Sequence, residues 1–508
     1  MENNTKEEIV ESKSPESEAA LPPKKICPID KFFGITASGS TFKTEVIAGL
    51  TTFMAMVYIL MVNAGMFATP LGPDSAGMFG VSYGAMYIAT AIGAIAGTLL
   101  MAFLAKMPLA QASGMGINAF IVYTLMLGFG LTYANCMVFT LLDGVIFVIL
   151  TATGLRKKIF EAIPEAVRHA IPVGIGMFIA FIGLQQAGII VNDDSTLVKF
   201  VSFNVLAEGW TFGGVIPAIV ALAGVLAIAV MSKKNVKGAI LWGLLGAAVL
   251  YYGLSGIGYA VGDKACIDMF AGITMSNPFE AFGQWGKESV GQVFVAGFDF
   301  SGYLAVENNT VGGLVLLIIT TALSLCMIDL FDTIGTLYGA CAKGNLLDEN
   351  GVPHNMNKMM LSDAIATCTG AVAGTSTVTT FVESSSGVAA GGKTGFTALV
   401  TAICFAIAMF LSPIAQLIPR SATAAALIWV GVLMMTSVTK VDWSDITSAV
   451  VAFLTIIVMT LGYSISKGIG AGIIAYVIVK LCTGKVKDIS LVTWIIAILF
   501  LATFILTN

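Results

Sequence analysis

Twelve long apolar runs dominate this chain, at about residues 45–68, 85–105, 134–153, 170–190, 213–231, 238–260, 312–338, 397–417, 421–438, 446–463, 467–482 and 488–506. A helix of roughly 20 apolar residues is long enough to cross a bilayer, so these runs predict an all-α polytopic membrane protein. Composition agrees. Of 508 residues, 57% are hydrophobic and only 11% charged, and the mean hydropathy is +0.90. A water-soluble domain of this size needs far more charge to cover its surface. The 55 Gly residues suit close helix packing and interrupted helices in lipid.

The same numbers exclude several classes. A net charge of −4 argues against a nucleic-acid partner. The 8 Cys are mostly scattered through apolar segments, as Cys136, Cys326, Cys341, Cys368 and Cys404 show, with no metal-site or disulfide spacing. With only His169 and His354, a His-based metal site is not expected, and no cofactor is expected. Nothing fits a Ser-His-Asp signature or an HExxH motif, which argues against an enzyme.

The breaks between runs carry positive charge with a consistent bias. Lys106, Arg156-Lys157-Lys158, Lys233-Lys234 with Lys237, Lys343 with Lys358, Lys440, and Lys480 with Lys485 and Lys487 fall where inside-facing loops are needed. The positive-inside rule then places the amino terminus in the cytoplasm. Residues 1–42 are polar and mixed in charge, lack the apolar core of a signal peptide, and read as a disordered cytoplasmic tail.

Two stretches do not behave as ordinary spans. One runs from Leu109 to Phe120, the other from Gly374 to Gly387. Both are too polar and Gly-rich to face lipid, yet the flanking runs force the chain back across the membrane there. Irregular backbone at membrane depth must be buried in protein or line a wet cavity. The two lie at matching distances from the start of the first run of each half, which points to an inverted-repeat transporter. The expected division is a first repeat at 43–260, an extracytoplasmic loop at 261–311, a second repeat at 312–483, and an extra apolar segment at 484–508 that is either a further span or an interfacial helix.

Four acidic residues fall at membrane depth: Asp143, Asp329, Asp332 and Glu383. A charge there costs several kcal/mol and needs a partner, a wet cavity or a proton. Asp329 and Asp332 share one helix face, with Thr336 one turn further on; a polar seam between helices is the other reading of this face. Asp143 reads as a structural seam. Glu383 follows a short alternating run, Val378 to Phe381, and precedes Ser384-Ser385-Ser386-Gly387, which suggests an extended piece leading into a half-helix. The start of such a half-helix is expected to present free N–H groups, beside backbone groups of Phe381 and Val382. Asn118, in the matching segment, offers a donor and an acceptor together.

At these residues the sequence resembles a known family. The runs Gly114-Met115-Gly116-Ile117-Asn118-Ala119-Phe120, Asp329-Leu330-Phe331-Asp332-Thr333-Ile334-Gly335-Thr336-Leu337 and Gly374 to Gly392 are similar to signatures of the adenine/guanine/hypoxanthine permeases. These belong to the nucleobase:cation symporter family with the uracil and xanthine permeases. Thr51-Thr52-Phe53 with Tyr58 and Asn63, and Ala180 to Gln185, also fit; the likeness covers about residues 30–485. It implies about fourteen transmembrane segments in two inverted seven-segment repeats, a short strand plus half-helix in the third and tenth segments, and core and gate domains, the gate being segments five to seven and twelve to fourteen. It also implies homodimers in the cytoplasmic membrane and proton symport of a purine nucleobase. The substrate-binding set is then Asn118, Asp332, Thr336, Phe381, Val382, Glu383 and Ser384, and the proton-coupling set Asp332, Asp329 and Glu383. Gln111, Ser113 and Ala64 depart from the family pattern, and the first two leave the choice of base open. A uracil or xanthine permease and an anion transporter of similar fold are the alternatives.

Overall fold

The structure is a computed structural model that describes residues 27–154, 163–206, 210–271, 277–307, 309–349 and 351–506. Most of the expected amino-terminal tail and the Arg156-Lys157-Lys158 cluster lie outside the described residues. Among the described residues ten helices are long and apolar enough to cross a membrane, and the chain is a multi-pass membrane protein.

The principal helices, in chain order, are α1 (Phe42–Ala68), α2 (Tyr83–Ala105), α3 (Met115–Gly128), α4 (Tyr133–Thr153), α5 (Glu165–Gln186), α6 (Phe212–Lys233) and α7 (Ala239–Val261). After a loop carrying short helices come α8 (Val311–Lys343), α9 (Met356–Ala373), α10 (Ser384–Ala389), α11 (Gly395–Gln416), α12 (Arg420–Lys440), α13 (Ile446–Leu461), α14 (Ile465–Cys482) and α15 (Leu491–Leu506). Helix starts are set by side-chain oxygens. Thr41, Ser82, Thr132, Thr211, Thr310, Asp445 and Ser464 each accept an N–H from the first turn of the helix that follows. Such caps satisfy donors that have no carbonyl partner within the helix.

The expectation of an all-helical chain needs correcting in one place. Besides the strand pair at the broken segments, β2 (Ile190–Asp193) and β3 (Leu197–Phe200) form an antiparallel hairpin after α5. Lys199 Nζ lies 2.9 Å from Asp193 Oδ2, and bonds from Lys199, Thr196 and Ser195 hold the Asp193 carboxyl below the usual range. The segment 261–311 is ordered in part. Its helix Pro278–Glu288 packs on α2, and Trp285 Nε1 donates to Ala373 O at the end of α9, 2.8 Å away.

The helices fall into two packed groups. In the first, α1, α2, α4, α9 and α11 pack around the broken segments, with α8 against α4 and α10 against α1. In the second, α5 packs on α12 and α13, α13 on α14, and α6 and α7 on each other and on α12. The apolar segment at the carboxyl end is helical: α15 packs on α14 and α8, and its Phe500 is fully buried.

Candidate functional site

The two broken segments meet. β1 (Gln111–Ser113) and β4 (Val378–Thr380) pair antiparallel, Gln111 opposite Thr380 and Ser113 opposite Val378. Two further bonds extend the ladder, from Gly114 N to Thr377 O (2.9 Å) and from Phe381 N to Ala110 O (3.1 Å). Each strand thus satisfies the other's backbone where no water is available. The pair lies so close to α2 that a Cβ on Gly97 would fall 2.7 Å from Gln111 Oε1 and 2.8 Å from Val378 Cγ1. Only glycine allows that approach.

Where the strands end, a cavity opens between the two helix groups. Asp332 and Thr336 of α8, Phe381, Val382 and Glu383 after β4, Thr380, and Tyr58 of α1 all line it. Its remaining wall is apolar: Met115 and Gly116 of α3, Ile175 of α5, Ile328 of α8, and Val430, Leu433 and Met434 of α12. No Lys, Arg or His is among these residues. Glu383 accepts a hydrogen bond from Tyr58 OH at 2.7 Å. Asp332 receives a long contact from Thr379 Oγ1 at 3.4 Å. The cavity therefore offers two carboxylates and hydroxyls on an apolar surface, the composition of a site for a small, flat, polar-edged molecule.

Five of the seven expected binding residues converge here: Asp332, Thr336, Phe381, Val382 and Glu383. Two do not line the cavity. Asn118 is fully buried behind it, where Oδ1 accepts from Ser113 Oγ (2.7 Å) and from Ser376 Oγ. Ser384 points back at β1, with Oγ accepting from Ala110 N (3.0 Å). Asp329, one turn from Asp332, is buried and takes a bond from Thr333 Oγ1 at 3.2 Å. The half-helix α10 also differs from expectation. The N–H groups of Ser384, Ser385 and Ser386 bond to the carbonyls of Phe381, Val382 and Glu383, so a tight turn uses the donors that were expected to be free.

Gln111 and Ser113 do not reach the cavity either. Gln111 Nε2 donates to Asp363 Oδ1 at 3.1 Å, and Ser113 joins Asn118 and Ser376. Asp363 of α9 was not singled out from sequence. It is fully buried and accepts from Gln111 Nε2, Thr380 N (2.9 Å), Thr380 Oγ1 (3.1 Å) and Thr333 Oγ1 (2.6 Å). Glu45 was missed as well. It is buried at the start of α11 and accepts from Lys393 N, Thr394 Oγ1 and Thr397 Oγ1, a carboxylate set against a helix N-terminus. Asp143 takes a bond from Thr377 Oγ1 at 3.1 Å, as a seam between α4 and the second broken segment. Among the described residues no group of three or more His, Cys, Asp and Glu side chains is placed to hold a metal ion.

A family model described as "Permease family" matches residues 43–471. The guanine/hypoxanthine permease PbuO of Bacillus subtilis (strain 168) is 38% identical over 472 residues, 92% of this chain and 98% of its own. The adenine permease AdeP of Escherichia coli (strain K12) is 34% identical over 473 residues, 93% of this chain and 95% of its own. The chain belongs to the Permease family, in its adenine/guanine/hypoxanthine branch. Among solved structures, the transmembrane domain of the cyanobacterium bicarbonate transporter BicA matches with a TM-score of 0.53, covering 84% of this chain and 96% of that one at 16% identity. That likeness is one of fold alone.

In this permease a polar and aromatic cluster joins α3, α5 and the turn between α13 and α14. Tyr463 stacks edge-on against Tyr123 and Phe178, with centroids 5.6 and 5.3 Å apart, and its hydroxyl donates to Gln185 Oε1. Gln186 Nε2 donates to Tyr123 OH (3.0 Å), which donates to Pro70 O (3.3 Å). Of the residues lining the cavity, Thr336 and Met434 lie on the halves of α8 and α12 that finish at Lys343 and Lys440.

Proposed function

We propose that this permease imports purine nucleobases, namely adenine, guanine and/or hypoxanthine, across the cytoplasmic membrane by proton symport. The observation that carries the reading is the meeting of Asp332 and Glu383 in one apolar-walled cavity without a basic residue in its lining. A neutral purine has N–H groups that a carboxylate accepts and flat faces that Phe381, Ile175 and Met434 can cover. An anion would meet two carboxylates and no compensating charge, which disfavours the anion-transport reading despite the shared fold with BicA. The names of PbuO and AdeP support purines as the substrate class.

In this reading α1 to α7 and α8 to α14 are two inverted repeats, with β1–α3 and β4–α10 as the third and tenth segments. The helices around the paired strands form the core, and α5 to α7 with α12 to α14 form the gate. The amino terminus is cytoplasmic, so the aromatic cluster around Tyr463, which bonds to Pro70 beyond the end of α1, lies on the outer side. Glu383 and the backbone of Phe381 and Val382 hold the purine edge, with Thr336 beside them. Asn118 and Ser384 brace this arrangement from behind. Asp332, with Asp329 one turn away, takes the proton. A protonated site moves between facing states without carrying a bare charge, which couples the gradient to transport.

The test is uptake of radiolabelled hypoxanthine by proteoliposomes, with and without an inward proton gradient, competed by adenine, guanine, xanthine and uracil. Saturable, gradient-stimulated uptake competed by one or more purines is expected. Uptake competed by uracil alone, or no uptake of labelled hypoxanthine, adenine or guanine, overturns the reading.

A further inference from the structure

A second cavity, of about 260 Å³, lies toward the end of α8 remote from Lys343, the outer end in the orientation above. α8 supplies Thr321, the first turn of α14 supplies Ser466 and Lys467, the last turn of α15 supplies Thr503 and Phe504, and Phe129 follows α3. Its charge is the reverse of the central cavity's. No Asp or Glu is among its lining residues, and the charged residue there is Lys467, which forms no ion pair among the described residues. The Lys467 ammonium stands 6.0 Å over the Phe129 ring. A helical Thr commonly bonds back to the carbonyl four residues before it, as Thr320 does to Leu316 O at 2.8 Å. The hydroxyl of Thr321, a residue only 2% exposed, does not, and among the described residues it bonds to no other protein group.

The two cavities share a face of α8. Thr321 lines the outer one, Ile328 and Asp332 the central one. Residues seven apart return to the same face of a helix, about 10 Å further along its axis. Between them Ser324 is fully buried and shares a hydrogen bond with Ser466 of α14 at 2.8 Å. Ser466 thus belongs both to the wall of the outer cavity and to the contact that separates it, along this face, from the central one.

The lining suits a flat molecule with an acceptor edge. Guanine and hypoxanthine carry O6 and N7 as two acceptors side by side, whereas in adenine N7 is flanked by a 6-amino donor. An ammonium only donates, so Lys467 favours the first arrangement. The Phe129 and Phe504 rings can cover the flat faces, and Thr321 offers a donor and an acceptor deeper in. The acyl tail of a lipid would instead meet the hydroxyls of Thr321, Ser466 and Thr503. We propose that this cavity is a second nucleobase-binding site, at which an arriving 6-oxopurine docks on Lys467 and Thr321 before the Ser324–Ser466 contact parts to admit it. The proposal rests on the purine reading above. It goes beyond that reading by adding a site, and by assigning a preference there for 6-oxopurines over adenine to Lys467.

Equilibrium dialysis of radiolabelled hypoxanthine against the purified full chain counts the sites. Wild type is expected to bind two molecules per chain, one tightly and one weakly. Glu383→Gln is expected to keep only the weak site. Adding Lys467→Met to it should weaken that site by about tenfold or more, the scale of a hydrogen bond to a charged group, and adding Thr321→Val should weaken it too. Unlabelled guanine should displace hypoxanthine from the weak site about tenfold better than adenine does. One site per chain in the wild type overturns the proposal and leaves the purine reading standing, and this count needs no variant to fold. A weak site indifferent to both Lys467→Met and Thr321→Val overturns it as well, as does one that adenine and guanine occupy equally. If the folded wild type binds neither hypoxanthine, guanine nor adenine, the purine reading fails and this proposal falls with it.

Discussion

The two crossovers, β1–α3 and β4–α10, are built alike and wired differently. Each is a three-residue strand, fully buried, followed by a helix, and each strand completes the other's ladder. In the first, the polar side chains are engaged by the protein: Gln111 with Asp363, and Ser113 and Asn118 with each other and Ser376. In the second, Thr380, Phe381, Val382 and Glu383 face the cavity. Both reach the cavity, but the first brings only the apolar Met115 and Gly116 to its wall, whereas the second brings the carboxylate of Glu383. What separates them is therefore the polarity of the residues they present there, since the other polar side chains of both are bonded within the protein.

The largest expected effect is at Asp363, which ties the two together. Asp363→Ala leaves the donors of Gln111, Thr333 and Thr380 without their acceptor in a buried setting. The expected loss is roughly 3–5 kcal/mol of stability, visible as a sharp fall in melting temperature in detergent. A melting temperature near wild type would mean that the strand pair holds without this anchor and that the scaffold lies elsewhere.

Glu383→Gln sharpens the contrast from the other side. It keeps the size of the side chain and removes the charge, so uptake should fall on the order of 100-fold, the scale of one or two charge-assisted hydrogen bonds, with little change in melting temperature. Uptake within a few-fold of wild type would remove the second crossover from the site. Asp332→Asn should act on a different quantity. Exchange of labelled for unlabelled purine across proteoliposomes should persist, while gradient-driven accumulation drops about tenfold or more. If accumulation is retained, the proton is carried by another carboxylate, and Asp329 is the first to examine.

How much of this was legible beforehand follows from what hydropathy measures. A carboxylate inside an apolar run stands out because its cost there is high, and so Asp332 and Glu383 were found. Asp363 was not, because α9 does not form an apolar run at all. Lys358, Ser362, Asp363 and Thr367 dilute it, and the helix can afford them because it is packed between α4 and α2. Hydropathy reports exposure to lipid, and α9 is largely shielded from it. Tyr58 entered only through the family likeness, with no role, and the ring cluster at Tyr463 was missed, for the opposite reason: an aromatic residue in an apolar chain is usually packing, and only a partner distant in sequence reveals a role. Gln111 and Ser113 were placed near the site because they precede the Gly114-Met115-Gly116 run and depart there from the family pattern. Side chains alternate between strand faces, and theirs turn away from the cavity, Gln111 to Asp363 of α9 and Ser113 to Asn118, Ser376 and Asn63.

Asn118 gives the smallest effect and the most direct test of the comparison. Its likeness to the family motif made it a candidate to hold the purine, and its place behind the strands makes it a brace. The two roles predict different losses. A brace that accepts bonds from Ser113 and Ser376 and lies outside the cavity should cost about 1–2 kcal/mol when cut back in Asn118→Ala. It should lower transport of every purine by one common factor, because none of them touches it. A residue in contact with the base would instead change the order of preference. Competition of hypoxanthine uptake by adenine and guanine in Asn118→Ala should therefore give inhibition constants whose ratio stays within about threefold of wild type, alongside a lowered melting temperature. A ratio that moves tenfold at an unchanged melting temperature would place Asn118 against the substrate, and the first crossover would have to be counted as recognition surface too.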